Sequence, residues 1–291
     1  MRIDSHQHYW CVDQFDYGWV EQGVPRLDGD YLPSELEPQL RRAKVDRSVV
    51  VQVLHTLAES EWLLTLAREH ESVAGVVGWV DLTQDAAQIA ADVNLLRSQG
   101  ALVGIRHLVH EEPDEDWLVR TDVIRGLGAL QELDMPFDLL LRPQHLKHVP
   151  TLSAALPELP MVIDHLAKPL IRDGLFARWL DDLRAAAANP RVYCKLSGLV
   201  TEADHDTWRI RDLTGYVDAT IDTFSPDRVM FGSDWPVCTL AASYAEVVHA
   251  LEEALTRVLG LEQSADRDRI FAGTAADFYE LSHDAGKTVA S

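Results

Sequence analysis

Eight short runs of apolar and β-branched residues punctuate this chain, separated by longer segments with helical periodicity. The runs are RIDSHQHYW at the start, SVVVQVL from Ser48, VAGVVGWVDL from Val73 and ALVGIRHLV from Ala101. They continue with PFDLLL from Pro136, MVIDHL from Met161, VYCKLSG from Val192 and VMFGSDWP from Val229. Between them, segments such as SELEPQLRRAK, ESEWLLTLAREH and DAAQIAADVNLLRSQG repeat apolar residues every three or four positions, as an amphipathic helix does. FARWLDDLRAAAANP reads the same way, and its Asn-Pro marks a stop before the next strand. Eight β-then-α units predict a parallel (β/α)8 TIM barrel. The main rival, a doubly wound sheet, calls for a glycine-rich phosphate turn after the first strand, and none is there. RGLGAL carries two glycines on a helical pattern and lacks the third. A single barrel is expected over residues 1–282, with QSADRDRIFAGTAADFYEL as a final helical segment and a frayed tail over 283–291.

Charge narrows the function classes. Lys and Arg number 26 against 47 Asp and Glu, a net charge of −21. Such a field repels phosphate backbones and anionic membranes, so neither nucleic acid nor a membrane surface is an expected partner. No basic segment followed by an apolar run opens the sequence, and no apolar stretch is long enough to span a bilayer. The three cysteines, Cys11, Cys194 and Cys238, are odd in number and form no C-x-x-C. A reducing cytoplasm is therefore the expected location. A small-molecule substrate is the expected partner, with a homo-oligomer left open.

In a barrel of this type the chemistry sits at the carboxyl ends of the strands. The first run ends in His6 and His8, the fourth in Arg106 and His107, and the sixth in Asp164 and His165. The seventh carries Lys195 and the eighth ends in Ser233 and Asp234. His6 and His8 are two residues apart, so on a strand they share one face and converge on one point, as a metal requires. The alternative is a hydrogen-bonded pair of strand-end histidines; His165 and Asp234 at two other strand ends favour the site. Asp234 suits a general base acting on water, or else a turn residue before Trp-Pro. Arg106 suits a planar fork for a substrate oxygen, or else a structural ion pair. His107 beside it and Lys168, just past His165, are further candidate substrate contacts, although a lysine is commonly solvated. Trp10, Trp79 and Trp235 lie near strand ends, where they serve either as walls for a sugar ring or as ordinary packing. Lys195, inside an apolar run, needs a partner. G-x-S-x-G, H-E-x-x-H and G-K-[ST] are all absent, so water is a better nucleophile candidate than serine.

His-x-His on the first strand, His165 ending the sixth and Asp234 ending the eighth resemble the amidohydrolase superfamily of (β/α)8 hydrolases. GIRHLVHEEPDEDWL, FDLLLRPQHL, PMVIDHLAKP, VYCKLSGLVTEAD and DRVMFGSDWPVC together resemble its sugar-lactonase branch. That branch holds L-fuconolactonases, L-rhamnonolactonases and relatives of 2-pyrone-4,6-dicarboxylate lactonase. The resemblance runs from His6 to about Cys238. It implies a barrel of the metal-dependent-hydrolase type that opens a sugar lactone. Many metal-rich members carry a carbamylated lysine or glutamate on the fourth strand and a histidine on the fifth. Arg106, His107 and Asp138 stand in those strands here, which argues against a two-metal centre. The resemblance implies at most one divalent ion, zinc or manganese, with His6, His8, His165 and Asp234 as candidate ligands; some relatives work without metal. Asp234 is then the general base, with Arg106 and the histidines polarising the carbonyl. Two other readings stand beside it: metal-dependent decarboxylation of an aromatic acid, and a catalytically inactive ligand-binding barrel.

Overall fold

The computed structural model describes residues 1–18, 24, 26–260 and 264–281. Each apolar run forms a strand: β1 Ile3–Gln7, β2 Arg47–Val51, β3 Val73–Gly78, β4 Leu102–His107, β5 Phe137–Leu139, β6 Met161–Ile163, β7 Val192–Leu196 and β8 Val229–Phe231. All seven successive pairs are parallel and the strand order is sequential, which excludes the doubly wound alternative. The sheet then closes on itself just past β8. The Asp234 N–H donates to the His6 carbonyl at 2.8 Å, and the His8 N–H to the Trp235 carbonyl at 2.7 Å. Ser5 Oγ adds a bond to the Phe231 carbonyl at 2.6 Å. The (β/α)8 barrel expected from the repeat is the fold.

Helices follow the strands in turn: α1 Pro33–Ala43, α2 Leu57–Glu69, α3 Ala86–Gln99, α4 Thr121–Glu132, α5 Val149–Ala155, α6 Ala177–Ala186, α7 Ile210–Phe224 and α8 Tyr244–Leu259. RGLGAL lies within α4, so its glycines serve no phosphate turn. Alternation along the strands sorts the side chains. Ile105, Phe137 and Met161 stand in one register and pack outward with the helices. The adjacent register holds Arg106, Asp138 and Val162, on the inner face. Ile3, Val49, Val77, Val162 and Met230 fill the lower barrel together with Phe278 and Tyr279 of the C-terminal segment. The upper interior is polar, and that inversion places the site. No helix among the described residues is long and apolar enough to cross a membrane, and residues 283–291 lie outside them.

Two buried carboxylates secure the frame. Asp4, at the β1–β8 seam, accepts from the Ser233 N–H at 2.8 Å and the Tyr244 hydroxyl at 3.2 Å, and burial pushes its carboxyl up to about 6. Glu59, in the first turn of α2, accepts from the Val53 and Leu54 N–H groups at 3.0 and 2.7 Å. It thereby fixes the loop that follows β2. Burial pushes the Glu59 carboxyl from 4.5 up to about 7, against those two hydrogen bonds. The native state therefore holds this proton more tightly than the unfolded chain. The associated stability is complete below about 4.5 and is lost as pH rises through about 7. Its size is about 3 kcal/mol. Denaturant unfolding across that range should show the parent losing stability with rising pH, and Glu59→Gln, which keeps an acceptor for the loop, lacking that part of the slope. Equal slopes would refute the assignment.

Candidate active site

Four electron-rich atoms converge at the carboxyl end of the barrel. Asp234 Oδ1 lies 3.2 Å from His8 Nε2, 3.7 Å from His165 Nε2 and 3.9 Å from His6 Nε2. His6 Nε2 and His8 Nε2 are 3.3 Å apart. All four residues are at most 3% exposed. The structure therefore gathers the four side chains that the sequence placed on three different strand ends.

Each ring is held through its Nδ1 edge. His8 Nδ1 lies 2.8 Å from the Val51 carbonyl. A carbonyl only accepts, so Nδ1 carries a proton, and Nε2 is turned toward Asp234. Arg106 Nη1, which only donates, lies 3.3 Å from His6 Nε2. On its other edge, His6 Nδ1 lies 3.1 Å from Asp164 Oδ1 and 3.1 Å from Lys195 Nζ, so the ring is held between buried charges. His165 Nδ1 is held by Ser197 Oγ at 2.8 Å. Burial lowers His6 and His165 well below the ordinary histidine value, which keeps both rings neutral near pH 7. Against the desolvation of full burial, His165 and the contact with His8 hold the Asp234 carboxyl below its usual value. The result is three imidazole Nε2 atoms within 3.2 to 3.9 Å of one carboxylate oxygen.

That donor set fits a divalent ion. Three imidazole nitrogens and one carboxylate oxygen match the composition of a zinc site, and each ring is oriented through its other nitrogen. The ionic groups agree: Asp138, Asp164 and Asp234 supply three carboxylates against the two cations Arg106 and Lys195 in the same interior, leaving room for positive charge. A second cluster, His55, His107 and Glu112, does not fit as well. The His55 and His107 rings are stacked, centroids 4.0 Å apart and 21° between planes, so their in-plane lone pairs run side by side and fail to converge.

The layer beneath joins the charged residues of the strand runs, Asp164, Lys195, Asp138 and Arg106, with Tyr279 and Gln52. Asp164 Oδ1 accepts from His6 and from Lys195 Nζ at 3.0 Å, and Oδ2 faces Arg106 Nη1 at 3.4 Å. Against burial, the Lys195 ammonium above all holds its carboxyl well below the carboxylate range. Asp138 Oδ2 binds Lys195 at 2.6 Å and the Tyr279 hydroxyl at 2.7 Å. Arg106 Nη2 donates to the Gln52 carbonyl, and the Gln52 side chain returns a bond to the Arg106 carbonyl at 2.9 Å. One signal was available: acids and a base interrupting apolar runs must find one another. Ser197, Gln52, His55 and Tyr279 carry no motif that would reveal them.

The other candidate contacts are dispersed. His107 accepts from Trp79 Nε1 at 3.2 Å and, through Nε2, contacts Glu112 at 2.6 Å; its ring lies between His55 and Trp117. Lys168 binds Glu202 at 3.0 Å. Trp10 and Trp235 are 1% and 2% exposed, each against Tyr31, while Trp79 is partly exposed.

Against this geometry, a family model described as amidohydrolase matches residues 3–281. The chain belongs to the amidohydrolase family. An L-fucono-1,5-lactonase of Burkholderia multivorans is 41% identical to this amidohydrolase over 97% of this chain and 96% of its own. Another L-fucono-1,5-lactonase, from Burkholderia ambifaria, is 38% identical over 98% and 97%. A crystal structure of a Burkholderia multivorans amidohydrolase with bound zinc superposes with a TM-score of 0.90, at 39% identity, covering 97% of this chain and all of that one.

Backbone conformation completes this amidohydrolase site. His165 and Asp234 adopt left-handed φ values of 53° and 58°, which aims each side chain back over the barrel mouth. Gly198 permits the close approach: its own φ is +65°, and a Cβ there would lie 2.8 Å from His165 Nδ1. Gly198→Ala should therefore cost about 2 kcal/mol in denaturant unfolding. It should also weaken the uptake of a divalent ion at this donor set about 10-fold through the displaced ring. Gly215→Ala in α7, where a Cβ meets nothing within 4 Å, should instead be neutral or stabilising by about 1 kcal/mol. Equal effects at the two glycines would contradict the packing role.

Proposed function

We propose that this protein hydrolyses a neutral sugar lactone, with L-fucono-1,5-lactone as the first substrate to test, to the open hydroxy acid. The observation that carries the reading is the buried convergence of His6, His8, His165 and Asp234 beside Arg106. The names of the two full-length relatives support the substrate class. When a divalent ion is held by His6, His8, His165 and Asp234, it supplies Lewis-acid polarisation and a more acidic water. Zinc is the ion we propose.

The chain's own groups account for the proton movements. Asp234, ionised and buried, takes a proton from the attacking water as its oxygen bonds to the lactone carbonyl carbon. The carbonyl π pair moves to oxygen, giving a tetrahedral oxyanion. In this reading Arg106 donates to that oxygen, supported by its Nε–H, which is buried and has no partner among the described residues. A fixed donor of this kind stabilises charge without reorganising. As the ring C–O bond breaks, Asp234 returns its proton to the departing oxygen, and the ring opens to a hydroxyl and a carboxylic acid. A lactone is an activated ester, so the barrier is lower than for an amide. An uncharged polyol also suits an enzyme with a net charge of −21.

Acid release measured with a pH indicator, over a panel of sugar lactones with and without added zinc or manganese, tests the reading. Turnover of the L-fucono-configured lactone is expected. Asp234→Asn should lower kcat at least 100-fold, the lower range for a general acid–base residue. Arg106→Met should lower kcat/KM to a similar extent. No acid release from any lactone by the metal-replete protein, or full turnover in Asp234→Asn, would overturn it.

A further inference from the structure

The barrel interior contains a second convergent set of ligand atoms, below the first. His6 Nδ1, Asp138 and Asp164 offer atoms within 4.8 Å of one another, all from fully buried side chains. The Lys195 ammonium already stands among them, 2.6 Å from Asp138 Oδ2, 3.0 Å from Asp164 Oδ1 and 3.1 Å from His6 Nδ1. Lys195 is itself completely buried, and its neighbours come from β1, β5 and the end of β6. From the far end of the barrel, Tyr279 donates to Asp138 and lies 5.5 Å from the ammonium by its ring centroid.

We infer that Lys195 is a built-in cation that takes the place of a metal ion between Asp138 and Asp164, and that it positions Asp164, His6 and Arg106 for the site above. Two carboxylates this close and this dry repel each other unless a positive charge separates them. A divalent ion or an ammonium meets that need, and a covalently tethered ammonium is never lost to solvent. The ammonium also stands 3.1 Å from His6 Nδ1, so it occupies the place an ion would take at that nitrogen and leaves His6 Nε2 facing Asp234. Lys195 thus restricts the barrel to one exchangeable ion, held by the upper set. Asp138, itself held by the Tyr279 hydroxyl, is the tether that keeps the ammonium in place.

Replacing the lysine should unmask the lower set. Metal analysis after equilibration with manganese and desalting should find about one more ion per chain in Lys195→Ala than in the parent. Manganese suits an oxygen-rich pair of carboxylates. The extra ion should disappear in Lys195→Ala/Asp138→Asn, whose paired neutralisation also guards against a failure to fold. Lys195→Ala should lower turnover about 10- to 100-fold, the usual range for groups that orient a metal-binding histidine. Ethylammonium, which fits the space vacated by the side chain, should restore turnover several-fold, whereas tetraethylammonium should not. A merely structural lysine would show neither the added ion nor the size-selective rescue. A folded Lys195→Ala with unchanged metal content and no rescue would overturn the inference. The metal measurement is independent of which lactone, or whether any lactone, is the substrate, so its failure is distinct from failure of the proposed hydrolysis.

Discussion

The Asp164 carboxylate is the group on which the rest of the interior depends. It has no exposure to solvent, and it takes bonds from His6, Lys195 and Arg106, which arise on β1, β7 and β4. An unpaired carboxylate so placed would cost several kcal/mol or take up a proton. Three donors on separate strands prevent that, and each is thereby fixed. His6 is held by its Nδ1 edge, Arg106 is held with its Nε–H unspent, and Lys195 is drawn between two acids. The site above is a consequence of how this carboxylate is satisfied.

A polar layer of this kind divides the barrel into two functions. Below it, Ile3, Val49, Val162 and Met230 form an ordinary apolar filling, sealed by Phe278 and Tyr279. Above it, three imidazole nitrogens and Asp234 face one another around a place suited to a cation. Left-handed backbone at His165 and Asp234 turns two of these side chains over the mouth. The closed sheet, bonded across the β1–β8 seam, over-determines both conformations.

The eight-fold repeat was legible because strand and helix periodicities differ and each unit must bury one face. The mouth histidines were legible because a barrel concentrates chemistry at strand ends, where His6, His8, His165 and Asp234 interrupt apolar runs. Asp138 and Lys195 were visible as charges inside strands, yet their pairing depends on the registers of β5 and β7, two strands apart, which no local pattern encodes. Asp164 was overshadowed by its neighbour His165. Ser197 and Gln52 act through a hydroxyl and a backbone carbonyl, signals that any surface position also carries. His107 and Trp79 do come together, but with Glu112 and each other as partners.

Calorimetric titration of zinc into metal-stripped protein addresses the central claim, that four electron-rich groups converge on one cation. One equivalent per chain should bind, with the affinity reduced at least 10-fold in Asp234→Asn and in His165→Ala. No zinc uptake by the parent, or uptake unchanged by both substitutions, would contradict the account.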